Sequence, residues 1–180
     1  MRRADLPPGA KVITTKWVDT NKGTEEEPNY RSRLVGREIK RDQRPDPFAA
    51  TPPLESLRFV VSLCASAQGA ARPHRLLTVD VKSAYFYAPA IRPVYVRLPD
   101  EDKEPGDEKR CGRLRMSMYG TRDAAANFQQ EVRRVMLSIG FAQSKYNPGI
   151  YYHVRRQLRT LVHGDDFVTC AEPRQAQWLK

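Results

Sequence analysis

Cysteine is scarce in this chain of 180 residues: Cys64, Cys111 and Cys170 stand singly, with no Cys-x-x-Cys pair and no nearby histidine. That spacing argues against a zinc site or a disulfide framework and suits a reducing, intracellular compartment. Long apolar runs are missing too, and no secretory leader is recognisable, so no membrane partner is expected. No internal repeat or low-complexity tract interrupts the pattern. Acid is in short supply, with 21 Asp and Glu against 31 Lys and Arg, a formal net charge of +10. Such an imbalance suits an anionic partner, and nucleic acid is the default candidate because phosphate neutralisation dominates that kind of affinity. A merely basic soluble protein would carry the same charge. The length fits one domain or one and a half, and 40% hydrophobic residues suffice for a core.

The acids that are present stand in unusual places. Asp165 and Asp166 lie between Leu161-Val162-His163-Gly164 and Phe167-Val168, as at the tip of a hairpin. Asp80 closes a separate apolar run, Leu76-Leu77-Thr78-Val79. Carboxylates in buried strands are costly unless they are paired or bind a metal. Three of them converging would offer oxygen ligands to two hard cations, the recurring device of phosphodiester chemistry. Taken alone, the Asp-Asp pair reads equally well as a polar turn, and Asp80 as a strand-end cap.

The remaining chain alternates between strand and helix signals. Lys11–Asp19 and Tyr30–Arg37 read as strands of a basic hairpin, separated by the turn-like Asn21-Lys22-Gly23 and the acidic Glu25-Glu26-Glu27-Pro28. Arg44–Pro53, with four prolines, reads as extended. Thr51 is placed to cap a helix through Leu54, Leu57, Val61 and Cys64 that ends near Gly69. Strands are expected up to Asp80, over Val94–Leu98 and over Arg113–Met118, with a solvated loop over Asp100–Lys109. Thr121 or Asp123 opens a helix through Phe128, Val132, Val135 and Ile139, stopped by Gly140. Strands over Ile150–Val154 and Leu158–His163 and a helix from Glu172-Pro173 complete the pattern. The order predicts an α+β fold with a largely antiparallel sheet packed on helices.

Six segments, in order, resemble the reverse transcriptase domain of copia-type LTR retrotransposons from about Lys16 onward. Lys16-Trp17-Val18 is similar to its opening strand, and Tyr30-Arg31-Ser32-Arg33-Leu34-Val35 to its Tyr-Lys-x-Arg-Leu-Val. Thr78-Val79-Asp80-Val81-Lys82-Ser83-Ala84-Tyr85 resembles its Leu-Asp-Val-Lys-Thr-Ala-Phe, and Val94-Tyr95-Val96 with Pro99 its next strand. Ser117-Met118-Tyr119-Gly120-Thr121-Arg122-Asp123-Ala124 is similar to Ser-Leu-Tyr-Gly-Leu-Lys-Gln-Ala. His163-Gly164-Asp165-Asp166 stands where the family has Tyr-Val-Asp-Asp.

The resemblance implies an RNA-directed DNA polymerase with right-hand fingers and palm, with residues 1–15 as an extension and 16–180 as a domain lacking its thumb and RNase H. It implies that Asp80, Asp165 and Asp166, with the Val81 carbonyl, bind two Mg²⁺ ions, for which Mn²⁺ can substitute. Arg31, Arg33, Ala84, Tyr85, Gly120 and Arg122 are the implied dNTP contacts, with Tyr85 crowding the sugar 2′ position. By alternation Arg31 and Arg33 point to one face of a strand, where two guanidinium forks suit a triphosphate or simply form a solvated basic face. Lys82 reads equally as a nucleic-acid contact or a surface cation. Gly120 permits a close backbone approach or a plain helix-entry turn.

His163 and Gly164 occupy the family's primer-support positions, and both depart from it: His for Tyr, Gly for a branched residue. Ala125 replaces Pro, Phe128 replaces Trp, and Tyr87-Ala88 replaces Asn-Gly. Implied partners are a primed RNA or DNA template and dNTPs, in a cytoplasmic particle or the nucleus. No integrase, protease or zinc-knuckle signature is present. Rival readings are a degenerate remnant that only binds nucleic acid, a nucleotide cyclase, and a purely structural protein. The Lys/Arg hairpin and the Tyr-Gly-x-Arg segment count against the cyclase.

Overall fold

The computed structural model describes residues 1–40, 49–67, 69 and 72–179. The chain divides into two compact units, Met1–Pro47 with Tyr85–Asn127, and Phe48–Ala84 with Phe128–Lys180.

The first unit is built on a long hairpin. Strands β1 (Val12–Asn21) and β2 (Tyr30–Arg37) pair antiparallel, from Thr14 opposite Arg37 to Asn21 opposite Tyr30. Asn21 shapes the connection, its side-chain oxygen accepting the N–H groups of Gly23 and Asn29 at 2.9 and 2.8 Å. The short β4 (Tyr95–Val96) runs parallel to β1 and antiparallel to β5 (Gly112–Arg113), which gives a sheet ordered β2-β1-β4-β5. This is the one parallel pair among the described strands, in keeping with the expected largely antiparallel arrangement. Of the expected span Val94–Leu98 only Tyr95–Val96 is strand, and β5 meets the expected span Arg113–Met118 at Arg113 alone. Val94, Tyr95 and Val96 are all buried, so the expected half-buried alternation is absent. Val94, Val96 and Met118 form the core with Ile13, Leu34 and Leu114.

The second unit carries an antiparallel sheet ordered β3-β9-β8-β7-β6. Its strands are β3 (Arg75–Asp80), β6 (Ala142–Gln143), β7 (Ile150–His153), β8 (Leu158–His163) and β9 (Asp166–Ala171). Helix α1 (Leu54–Ser66) covers it, with Val60 and Cys64 packed against Leu161 and Cys170. The buried stripe is thus Ser56, Val60 and Cys64, with Leu57 half-buried, while Leu54 and Val61 of the expected stripe are exposed. Thr51 does not cap this helix: Pro53 occupies the cap position, with no side-chain capping bond. Proline's fixed φ and missing N–H suit that entry, so no hydroxyl is needed there. The expected extended stretch Arg44–Pro53 lies outside the described residues up to position 48.

Helix α2 (Ala124–Ser138) starts in the first unit and continues in the second. Phe128, Val132 and Met136 are its large buried apolar positions, while Val135 is 39% exposed and Ile139, beyond its end, 37%. Gly140 ends it as expected, in the left-handed region at φ +92, with the Phe141 N–H returning to Met136 O at 3.0 Å. Helix α3 (Pro173–Leu179) begins at a proline, where the missing N–H costs nothing. Cys64, Cys111 and Cys170 are buried and in no disulfide. Burial pushes the Cys170 thiol up to about 11, and the neighbouring Cys64 adds to the effect.

Candidate active site

In the second unit β8 and β9 form a hairpin closed by Gly164 and Asp165. Gly164 takes φ +61, a left-handed value that glycine adopts without a Cβ penalty, and nothing lies within 4 Å of where a Cβ would stand. Asp166 is the first residue of β9. It pairs with Asp80 at the end of β3 on one side and with His163 at the end of β8 on the other. Asp80, Asp166 and His163 therefore form one row across three strands, on one face of the sheet. The Val81 N–H donates to Asp165 O at 3.0 Å, which ties the chain after β3 to the hairpin turn. Asp80 and Asp166 are exposed and Asp165 is half-buried.

Two carboxylates directly opposite one another repel. Among the described residues none of the three acids makes a side-chain hydrogen bond or ion pair. The donor set, oxygen only and uncompensated, has the chemistry that a hard divalent cation requires. Among the same residues no group of three or more His, Cys, Asp or Glu is gathered closely enough to hold a metal ion. The acids are thus aligned on adjacent strand ends without being assembled into a metal centre. Ser83, just beyond, adopts φ +59, an uncommon conformation for a residue with a side chain, and Ala84 is fully buried.

The first unit holds the other candidates. Arg31 and Arg33 are exposed on β2. Tyr119, not singled out from the sequence, lies beside Arg33. Its ring lies 4.5 Å from that of Tyr85, meets Phe86 edge-on at 5.8 Å, and carries the Arg33 guanidinium 5.5 Å from its centre. Cation–π contact and ring packing hold Arg33 and Tyr85 on opposite contacts of one aromatic.

Gly120 has φ +81, and a Cβ there would stand 2.0 Å from Gly36 O. The close approach that makes glycine necessary is thus to the end of β2. Gly36 N–H donates to Tyr119 O at 2.7 Å and Glu38 N–H to Gly120 O at 3.3 Å.

Beside this lies a charge cluster that sequence reasoning missed. Arg92 bonds both Glu38 and Asp123, the latter at 3.0 Å. Glu38 also accepts the backbone N–H of Arg122 at 2.9 Å. Burial works against the Arg92 charge, yet its hydrogen bonds to Glu38 and Asp123 outweigh it and hold the guanidinium above its usual range. A neighbouring cavity of about 620 Å³ is lined by Lys11, Thr14, Arg37, Glu38, Arg92 and Arg122, among others.

The family model described as reverse transcriptase (RNA-dependent DNA polymerase) matches residues 2–175. The chain is similar to the retrovirus-related Pol polyprotein from transposon RE2 of Arabidopsis thaliana, 23% identical over 171 residues, which cover 90% of this chain and 11% of the relative. It is also similar to the retrovirus-related Pol polyprotein from transposon TNT 1-94 of Nicotiana tabacum, 24% identical over 153 residues, covering 82% and 11%. The chain thus spans about a tenth of the length of these relatives. No solved structure matches it. With nearly the whole chain matched, the chain belongs to the reverse transcriptase (RNA-dependent DNA polymerase) family.

Proposed function

We propose that this chain is the fingers and palm part of a copia-type RNA-directed DNA polymerase that extends a primer with dNTPs. The β3-β9-β8 sheet would be the palm and the β1–β2 hairpin the fingers. The observation that carries this reading is the row Asp80–Asp166–His163 with Asp165 in the adjoining turn.

Asp80, Asp165 and Asp166, with the Val81 carbonyl, would hold divalent cations, Mg²⁺ or Mn²⁺. When bound, two such ions lower the pKa of the primer 3′-hydroxyl and neutralise the triphosphate and departing pyrophosphate. Phosphoryl transfer asks little else of a protein than positioning and charge stabilisation. Arg33 would orient the triphosphate, with Arg31 supporting it and Arg122 assisting. Tyr85, packed on Tyr119, would limit room at the sugar 2′ position, and Ala84 and Gly120 would each be a backbone contact to the nucleotide. His163, beside Asp166, would support the primer end. The reaction would take place inside the cell, in a cytoplasmic particle or the nucleus.

The test is dTTP incorporation on poly(rA)·oligo(dT) with Mg²⁺ or Mn²⁺, against Asp165→Asn. The expected loss is at least about a hundredfold, the scale on which removing one group that stabilises transition-state charge acts. Incorporation that survives the substitution would sink the reading. So would absence of both incorporation and metal-dependent dNTP binding.

One observation favours a second reading, a remnant that binds nucleic acid without polymerising: the unsupported Gly164 in the turn between the acids and His163. Metal-independent nucleic-acid binding that persists in Asp80→Asn/Asp165→Asn, with no polymerisation by the parent chain, would decide for it.

A further inference from the structure

Resting on the nucleotide-binding reading above, we infer that Arg92 is a positioning residue. Its one guanidinium clamps the end of β2 to the head of α2 and so fixes Arg33 and Arg122 in a single arrangement. The two carboxylates it joins are almost buried, their side chains 11% exposed at Glu38 and 8% at Asp123, whereas Arg92 itself is 31% exposed. Two buried acids facing one another need a cation between them, and a single nitrogen of Arg92, Nη2, donates to both.

Each acid hands the constraint on. Glu38 Oε2 takes the Arg122 N–H at 2.9 Å, which sets the backbone at that candidate phosphate contact. Asp123 Oδ2 accepts from Asn127 Nδ2 at 3.3 Å, and the same amide group donates to Ser117 Oγ at 3.0 Å. That bond secures both ends of the Ser117–Asp123 segment that carries Tyr119 and Gly120. The end of β2 is otherwise joined to this segment by the Gly36–Tyr119 and Glu38–Gly120 backbone bonds. Arg33 reaches it through the Tyr119 ring. Loosening Arg92 therefore changes the spacing between Arg33 and Arg122 while leaving both side chains in place.

The experiment compares Arg92→Met, Arg92→Lys and the neutral triple variant Glu38→Gln/Arg92→Met/Asp123→Asn with the parent chain. It reads Mg²⁺-dependent dTTP binding, kcat and KM, melting temperature, and amide hydrogen exchange at Arg122. In Arg92→Met, dTTP affinity falls and KM rises about tenfold, the effect of losing one charge-assisted hydrogen bond, with kcat within about threefold. Arg92→Lys recovers only part of this, because its ammonium sits one bond nearer the backbone than Arg92 Nη2 and falls short of the two acids. The triple variant regains melting temperature, having no buried charge left unpaired, but keeps the weak dTTP binding. Unchanged dTTP affinity in Arg92→Met beside a lowered melting temperature would overturn the inference and leave a purely structural cluster. If the parent binds no dTTP, the nucleotide reading itself falls. The clamp is then judged by Arg122 exchange alone: faster exchange in Arg92→Met supports it, and unchanged exchange overturns it.

Discussion

Gly120 and Gly164 both lie in the left-handed region, at φ +81 and +61, but their surroundings differ. At Gly164 a Cβ meets nothing within 4 Å, whereas at Gly120 it would stand 2.0 Å from Gly36 O. Gly164→Ala should therefore cost only the backbone term, about 1–2 kcal/mol. Gly120→Ala must in addition break the contact between β2 and the Tyr119–Gly120 segment, and should cost at least about 1 kcal/mol more. Urea unfolding of the two variants checks this, and equal losses would refute it. At this scale Asp80, Asp165 and Asp166 were legible because isolated acids at the ends of apolar runs are conspicuous. Arg92 was not. Its partners Glu38 and Asp123 are 54 and 31 residues away, and no local pattern marks a cation that three separate segments share.

Among elements, the β8–β9 hairpin holds the candidate acids in register. Its interior pair Thr160 and Thr169 is buried to 0% and 1%, with the hydroxyls 2.9 Å apart. Either single Thr→Val change strands the other hydroxyl and should cost about 1–3 kcal/mol, whereas the double change removes both partners and should be nearly neutral. Thermal unfolding of the three variants would measure the coupling, and neutral single variants would show that the pair contributes nothing. Strand and helix positions were largely readable from the sequence, since β2, β3, β7, β8 and α2 fall within a few residues of their expected spans. The lengths of β4 and β5 were not, because Val94–Val96 is buried on both faces and its composition carries no periodic signal. The buried stripe of α1 was also misplaced by one residue, at Val61 in place of Val60. Both are valine, and only the sheet beneath selects which one is covered.

Across the whole molecule the net charge of +10 is distributed in part along the hairpin. Arg31, Arg33 and Arg37 share one face of β2 by alternation, and Lys16 sits opposite Val35 in the same register row. Under the second reading, of a chain that only binds nucleic acid, these four cations neutralise its phosphates. The affinity for single-stranded nucleic acid should then fall with salt at a log–log slope of about −3. Arg31→Ala/Arg33→Ala should flatten that slope by about 1. Fluorescence anisotropy at several salt concentrations checks this, and a slope unchanged by the double substitution would place the contacts elsewhere.

The sequence by itself determined the family, the α+β class, the basic character and the identity of the acids, because each depends on residue type and short-range order. Only the tertiary structure decided that Asp166 sits between Asp80 and His163, that Gly120 is demanded by Gly36, that Tyr119 meets Arg33, and that Arg92 joins Glu38 to Asp123. Those facts depend on strand register and on contacts between distant segments, which are set by how whole faces pack and leave no mark in any one stretch of chain.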